Sequence, residues 1–305
     1  MGRMATAHSN GLDLEYDVFG DPGDPPVVLV MGLGAQLIDW PQEFCSLLAA
    51  RGYRVIRFDN RDAGLSSGLD DLGIPDIAAI IGGDLSSMAY GLSDMAADVA
   101  GLLDALDIDR AHIAGCSLGG MVAQQFAIDF PDRVRSLTSI MSMTGDRTVG
   151  LPTPEAAAVL GRPPAPTREI AIANAVMSSR IVGSPAFPLT EEELMRRATA
   201  KVDRAYRPAG TARQYAAALG SPDRTPGLHD VKAPAVVIHG AEDPLINVSG
   251  GQATAAAIPG ARLVTIPDME HSLAPGVIPR LVELITGHVD AHRRHASPSL
   301  GVLHG

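Results

Sequence analysis

The chain has 305 residues, a formal net charge of −11 and 46% hydrophobic residues. This length is enough for one large α/β core with an insertion, and the acidic balance argues against nucleic acid or anionic lipid as a partner. The longest apolar runs fall well short of the roughly 18 residues that cross a bilayer, and the N-terminus has no apolar leader. We therefore expect a soluble, cytoplasmic protein without a membrane span.

The sequence contains two cysteines and nine histidines. Cys45 falls in a predicted helix and Cys116 in a tight turn, so both are expected to be buried thiols in a reducing compartment and not a disulfide. No Cys/His cluster has the spacing of a metal site. We expect neither a metal nor a cofactor.

Buried strands are predicted from short runs rich in β-branched residues, and a half-exposed strand from an apolar/polar alternation at 12–18. Helical patterns separate most of these strands, and Ser93 is the expected N-cap of one helix. Strands that alternate with helices favour a mostly parallel, doubly wound sheet with right-handed crossovers. The runs read as strands are 27–31, 53–58, 111–114, 134–143, 235–239 and 262–266, of which 27–31, 53–58 and 235–239 are expected to be buried.

The composition changes near Arg147, where prolines become frequent and the strand signal stops until Ala235. Amphipathic stretches at 167–181 and 190–206 indicate helices in this interval. We therefore predict an α/β core of residues 1–146 and 222–291 with a helical cap at 147–221. Residues 292–305 are expected to form a disordered tail.

The pattern with the clearest chemical meaning is Gly115-Cys116-Ser117-Leu118-Gly119-Gly120, which lies between an apolar run and a helical pattern. A G-x-S-x-G sequence between a strand and a helix is typical of a nucleophile elbow, in which a strained turn exposes the serine hydroxyl. Glycines two residues before and after the serine allow the chain to fold back tightly. Ser117 is the predicted nucleophile.

A serine nucleophile needs a base and a residue that orients the base. Asp243 and His271 follow the elbow in the expected order, and each comes after a predicted strand end, so all three should meet at one edge of the sheet. We predict the triad Ser117, Asp243 and His271. The competing residues are His239, His229, His288 and His292 for the base and Glu242 and Asp146 for the acid.

A second glycine-rich turn, Gly32-Leu33-Gly34, follows the strand at 27–31. With Asp59 it imitates a dinucleotide-binding fingerprint, but Leu37 stands where the third glycine belongs. In a hydrolase this loop supplies one backbone N–H of the oxyanion hole, so we assign the oxyanion donors to the N–H groups of Leu33 and Leu118.

At these residues the chain resembles the α/β-hydrolase superfamily over residues 12–289. Three motifs are similar to those of the aclacinomycin methylesterase group: Val30-Met31-Gly32, Asp39-Trp40-Pro41-x-Glu43-Phe44, and Arg57-Phe58-Asp59-Asn60-Arg61-Asp62-x-Gly64-x-Ser66. The resemblance implies cleavage of a methyl ester on a polyketide. Met31 and Cys116 depart from the residues common in the superfamily, which leaves the mechanism unchanged.

The sequence therefore predicts a carboxylic ester hydrolase that acts on an apolar or polyketide-like small molecule through an acyl-enzyme. The alternatives are a cofactor-free haloperoxidase or perhydrolase, a thioester hydrolase, and a non-catalytic ligand-binding member of the same fold. The intact triad argues against the last of these. Monomeric and oligomeric states both remain open.

Overall fold

A computed structural model describes residues 4–293. Its central element is an eight-stranded sheet with the order β1-β2-β4-β3-β5-β6-β7-β8. The strands are β1 Ala5–Ser9, β2 Leu12–Phe19, β3 Pro26–Val30, β4 Arg54–Phe58, β5 Ala111–Cys116, β6 Val134–Ile140, β7 Ala235–Gly240 and β8 Arg262–Ile266.

The sheet is antiparallel only where β1 pairs with β2 and β2 with β4; the remaining neighbours are parallel. The parallel strands β3, β5 and β7 are buried along almost their whole length, as expected for strands that are covered on both faces. The predicted mostly parallel α/β architecture is confirmed.

The helices provide that cover. Their bounds are α1 Gln42–Ala49, α2 Ile77–Ile81, α3 Leu92–Ala105, α4 Leu118–Asp129, α5 Pro154–Leu160, α6 Arg168–Val182, α7 Glu191–Arg204, α8 Pro208–Gly220, α9 Thr225–Leu228, α10 Ser249–Ala257 and α11 Ile278–Arg293. Short 3-10 turns lie at Leu37–Asp39, Asp70–Leu72 and Pro131–Arg133.

Alternate side chains of the strands enter two separate cores. Val28 and Val30 of β3 pack with α3 and α4 on one face, whereas Val27 and Leu29 pack with α1 and α11 on the other. This two-sided packing makes the sheet doubly wound and leaves the carboxyl ends of its parallel strands for loops.

Helices α5 to α8 all lie between β6 and β7. The pair α6 and α7 has a small core of its own, formed by Ile172, Val176 and Ala198. The antiparallel hairpin of α6 and α7 is thus partly self-supporting.

One strand was not predicted, and one local expectation was wrong. Residues 5–9, which carry no clear sequence pattern, form the edge strand β1 because β2 offers them a pairing edge. Ser93 does not cap α3, which begins at Leu92. Instead Ser221, distant in sequence, accepts the Leu92 N–H at 2.9 Å, and Asp94 accepts the Gly91 N–H at 2.8 Å.

Within residues 4–293, no helix has both the length and the apolarity needed to cross a bilayer. Residues 292 and 293 belong to α11. The rest of the predicted disordered tail, residues 294–305, lies outside the described part of the chain.

Candidate active site

The turn between β5 and α4 has the geometry of a nucleophile elbow. Ser117 adopts φ 55° and ψ −124°, a left-handed conformation that costs a non-glycine residue about 1–3 kcal/mol. A Cβ atom on Gly115 would lie 2.0 Å from the carbonyl oxygen of Gly119, and one on Gly119 would lie 2.1 Å from that of Val30. Only glycine fits at either position.

Backbone hydrogen bonds hold this strained turn. The Ser117 N–H donates to the carbonyl of Ile140 at 2.9 Å, and the Ser142 hydroxyl donates to the carbonyl of Ser117 at 2.8 Å. Leu118 is the first residue of α4, so its N–H has no acceptor within the helix. The turn therefore presents a serine hydroxyl beside a free N–H at a helix N-terminus.

The predicted acid and base lie in contact with each other. Nδ1 of His271 is 2.7 Å from Oδ2 of Asp243, and the side chains of His271 and Asp243 are 8% and 0% exposed. Asp243 comes after β7 and His271 after β8. The Glu242 N–H donates to the carbonyl of Met269 at 3.2 Å and so joins the two loops.

The other oxygen of Asp243 is held by its own turn. Oδ1 accepts the N–H groups of Leu245 and Ile246, both at 2.9 Å, which leaves Oδ2 directed at His271. This carboxylate is buried and fixed at both oxygens, as is required of a group that orients a base.

Ser117 and His271 are not joined by a hydrogen bond in the described part of the chain. Both follow strands at the carboxyl edge of the sheet, with β6 and β7 between β5 and β8. In free enzymes such contacts are often long and shorten when substrate binds.

The competing histidines occupy other environments. His239 is fully buried, and its Nε2 lies 2.7 Å from the carbonyl of Ile246 and 3.5 Å from Oδ2 of Asp243. Because a carbonyl only accepts, Nε2 carries the hydrogen, and burial lowers the pKa of the ring. His229 is exposed.

The competing acids do not contact His271 either. Glu242 is exposed. Asp146 accepts the N–H and the hydroxyl of Thr148 at 2.8 and 2.7 Å, and these bonds lower its pKa. The Asp146 carboxylate therefore stabilises the turn at residues 146–148.

The loop after β3 lies beside the elbow, as predicted. A Cβ on Gly32 would be 3.1 Å from Cβ and 3.6 Å from Oγ of Ser117. The Leu33 N–H, next in the chain, has no acceptor among the described residues. The loop thus approaches Ser117 at Gly32, and the next residue carries an N–H with no acceptor in residues 4–293.

The two thiols are buried. Cys116 is 3% exposed, its Sγ lies 3.2 Å from Sδ of Met31, and burial raises its pKa to about 12. Burial likewise raises the pKa of Cys45 to about 12. Neither thiol is suited to nucleophilic chemistry near neutral pH.

Residues from the segment between β6 and β7 contact both candidate catalytic loops. The His271 N–H donates to the carbonyl of Val182 at 3.0 Å, and the Ser184 hydroxyl accepts the Glu270 N–H at 2.9 Å. On the β3 side, Gln214 accepts the Gly34 N–H at 2.8 Å.

Sequence reasoning did not find these residues. Gln214 had a detectable signal, because Arg213 and Gln214 lie on the buried stripe of α8 together with Gly210 and Ala217. Polar side chains on a buried stripe usually have specific partners. Val182 contributes only a backbone carbonyl and has no such signal.

Comparisons with known proteins identify the family to which the chain belongs. The α/β hydrolase fold family model matches residues 25–274. Rhodomycin D methylesterase DnrP of Streptomyces peucetius is 30% identical over 95% of this chain and 98% of its own length. Rhodomycin D methylesterase DauP of Streptomyces sp. strain C5 is 30% identical over 89% and 93%.

Among solved structures, a meta-cleavage product hydrolase from Pseudomonas fluorescens IP01 superposes with a TM-score of 0.73 at 21% identity, covering 94% of this chain and 97% of that one. At this identity the likeness supports the fold alone. With the family match and the two methylesterases, it confirms the resemblance that the motifs predicted: the chain belongs to the α/β-hydrolase fold family.

Proposed function

We propose that the protein is a carboxylic ester hydrolase in which Ser117, His271 and Asp243 act as a catalytic triad. The observation that carries the proposal is the 2.7 Å contact between His271 Nδ1 and the buried Asp243, at the sheet edge where the strained Ser117 also lies. This contact fixes the imidazole with its Nε2 lone pair free to accept a proton.

In the proposed mechanism, the Ser117 oxygen attacks the ester carbonyl carbon while Nε2 of His271 takes the hydroxyl proton. The N–H groups of Leu33 and Leu118 bind the resulting oxyanion. When the tetrahedral intermediate collapses, the carbon–oxygen bond to the alcohol breaks and His271 returns the proton to the alkoxide. Water activated by the same histidine then hydrolyses the acyl-enzyme.

For the substrate, we propose a methyl ester on an apolar, polyketide-like acid. The two Streptomyces relatives, which are named as rhodomycin D methylesterases, support this class. We also propose that residues 147–221 form a cap over the site, because both ends of the α6–α7 hairpin reach the candidate catalytic loops.

The first test measures hydrolysis of an aryl ester by Ser117→Ala, His271→Ala and their double mutant. Residues that act as one unit are non-additive, so we expect all three kcat values within about tenfold of each other and about 10⁴-fold below wild type. Asp243→Ala should lower kcat by less than these variants do, because Asp243 only orients the base. His229→Ala, which removes an exposed histidine, is the matched control and should keep wild-type kcat.

A fluorophosphonate probe gives an independent test, because only a serine beside a base and an oxyanion hole reacts quickly. We expect peptide mapping to find the label on Ser117. Labelling that persists in Ser117→Ala would overturn the assignment.

A panel of esters of one fused-ring aromatic acid tests the substrate class. We expect methyl esters to be cleaved faster than butyl esters, and faster than the corresponding thioesters. A preference for long alkyl alcohols would contradict the proposed methyl ester and leave the triad untouched.

A further inference from the structure

Gln214 of α8 is a fully buried glutamine whose amide is bonded at both ends. Its Oε1 accepts the Gly34 N–H at 2.8 Å, and its Nε2 donates to the carbonyl of Arg61 at 2.7 Å. It therefore bridges the loop after β3 and the loop after β4. Neither contact involves a residue close to Gln214 in sequence.

The backbone N–H groups of the β3 loop are almost all occupied by acceptors. The Ala35 N–H donates to the carbonyl of Gly32, the Gln36 N–H to Asp39 and the Leu37 N–H to Asp59. With Gly34 bound to Gln214, the Leu33 N–H next to it has no acceptor among the described residues. That group is the proposed oxyanion donor.

Gly34 is the residue of the β3 loop that contacts α8. Its φ is +59°, and a Cβ at this position would lie 2.6 Å from Oγ1 of Thr211, one turn before Gln214. Glycine can adopt this left-handed conformation, but it adopts other conformations about as readily. The bond to Gln214 therefore holds Gly34 in this one. The position of the neighbouring Leu33 N–H depends on that conformation.

Helix α8 is itself held firmly. Arg213, adjacent to Gln214, forms two hydrogen bonds with Asp62 at 2.7 and 2.8 Å. The Arg61 carbonyl that Gln214 contacts belongs to a residue whose guanidinium makes two 2.6 Å bonds to Asp98. Buried ion pairs therefore hold both α8, which carries the glutamine, and Arg61, whose carbonyl the glutamine contacts.

We propose that Gln214 is a positioning residue for the oxyanion hole: through the Gly34 N–H it sets the direction of the Leu33 N–H toward the reacting carbonyl. The inference rests on the proposed function, because an oxyanion exists only if Ser117 attacks a carbonyl. It also gives the segment between β6 and β7 a role in transition-state stabilisation as well as in covering the site.

The test compares Gln214→Leu with Gln214→Glu in hydrolysis of 4-nitrophenyl butyrate. Gln214→Leu removes the acceptor for Gly34, and we expect kcat to fall by about 10- to 100-fold with KM changed less than about threefold, since loss of one oxyanion donor costs about 10²–10³. Gln214→Glu still offers an oxygen to the Gly34 N–H, so it should recover most of the lost kcat.

An alkyl trifluoromethyl ketone adds a readout that a merely structural role would not move. Ser117 adds to its carbonyl, and the adduct places an oxyanion where the transition state has one. We expect its inhibition constant to rise in Gln214→Leu by about the same factor as kcat falls. Gln124→Leu is the matched control, because Gln124 is also a fully buried, doubly bonded amide. It should lower the melting temperature with kcat within threefold of wild type.

A folded Gln214→Leu variant with wild-type kcat and inhibitor affinity would overturn the proposed role of Gln214 but not the proposed function. Equal losses of kcat in the Leu and Glu variants would also overturn that role. If Gln214→Leu does not fold, Gln214→Asn replaces it, because the shorter amide cannot reach Gly34 from the same helix position. A wild-type protein that neither cleaves the ester nor binds the ketone would overturn the proposed function as well.

Discussion

The backbone N–H of His271 donates to the carbonyl of Val182 at 3.0 Å. Val182 is the last residue of α6, so the loop that carries the proposed base is tied to the segment between β6 and β7. The Ser184 hydroxyl strengthens the tie by accepting the Glu270 N–H at 2.9 Å and lying 3.0 Å from Oγ of Ser272. The segment between β6 and β7 therefore contacts the loop after β8 as well as the loop after β3.

Ser184→Ala should therefore weaken catalysis without touching the triad. Ser184 is 5% exposed, and its loss leaves the Glu270 N–H without a partner next to the base. We expect kcat to fall by about 3- to 10-fold, an increase in barrier of about 0.6–1.4 kcal/mol. The rate of ester hydrolysis at saturating substrate measures this change in kcat.

Ser178→Ala is the control for this variant, because the Ser178 hydroxyl donates to Asn174 within the same helix at 2.8 Å. It loses this bond and the one that Ser178 accepts from Arg162 at 3.2 Å, but none near His271, so kcat should stay within twofold of wild type. Equal kcat losses in the two variants would show that Ser184 acts only through the stability of α6.

The elbow could be predicted from sequence because its constraints fall on a few consecutive residues. Gly115 is required by the turn itself, since a Cβ there would meet the Gly119 carbonyl, and Gly119 is required because the Val30 carbonyl of β3 approaches it. A short pattern records both requirements. Asp243 and His271 could be proposed because strand ends place them at one sheet edge. Only the folded chain shows their 2.7 Å contact.

The supporting contacts could not be predicted, because they join residues far apart in sequence. Gln214 accepts the Gly34 N–H, and Ser221 accepts the Leu92 N–H at the start of the helix for which Ser93 was the expected N-cap. Propensity rules describe neighbours along the chain. These rules do not say which side chain from a distant part of the sequence will accept a given backbone N–H.

His239 provides a prediction that separates a structural histidine from the proposed base. His239→Gln keeps an amide N–H near the carbonyl of Ile246, which Nε2 of His239 approaches at 2.7 Å. We expect a loss of about 1–2 kcal/mol in the free energy of unfolding, within the range for a perturbed buried hydrogen bond, and kcat within tenfold of wild type. Urea unfolding and ester hydrolysis measure the two effects.

His271→Gln is the matched comparison and should lose about 10⁴-fold in kcat while remaining as stable as wild type within about 1 kcal/mol. If His239→Gln instead inactivates a folded protein and His271→Gln retains activity, the base has been assigned to the wrong histidine.

The ion pair between Arg213 and Asp62 leads to a prediction about stability. Both side chains are 1% exposed or less. Burial opposes ionisation of Asp62, but hydrogen bonds from Arg213, the Leu69 N–H and the Tyr90 hydroxyl outweigh it and lower the pKa of this carboxyl. Arg213→Met leaves the buried Asp62 carboxylate without a charged partner and should lose about 3–5 kcal/mol in the free energy of unfolding. Asp62→Leu should lose less, because Arg213 keeps its ion pair with Asp70 at 2.8 Å.

The double variant Asp62→Leu/Arg213→Met removes both charges and should lose much less than the two single losses added together. Urea unfolding of the four proteins at pH 7 gives the interaction free energy. The exposed pair Arg168 and Asp203, at 2.5 Å, is the matched control, and its cycle should give less than about 1 kcal/mol. Additive losses at Arg213 and Asp62 would contradict a coupled buried pair.

The buried thiols predict how stability changes at alkaline pH. Burial raises the pKa of Cys116 from 9.0 to about 12, so between these values the unfolded chain releases a proton that the folded chain keeps. A raised folded pKa gives stability that is complete below pH 9 and is lost as the pH rises toward 12. From pH 8 to pH 10 this loss is about 1 kcal/mol for one thiol. Urea unfolding under reducing conditions should therefore find that Cys116→Ala loses about 1 kcal/mol less than wild type over this interval. Cys45→Ala should behave alike, since burial raises the pKa of that thiol equally. Equal losses in the variants and the wild type, or alkylation of native Cys116 at pH 8, would show that the thiol beside Ser117 is open to solvent.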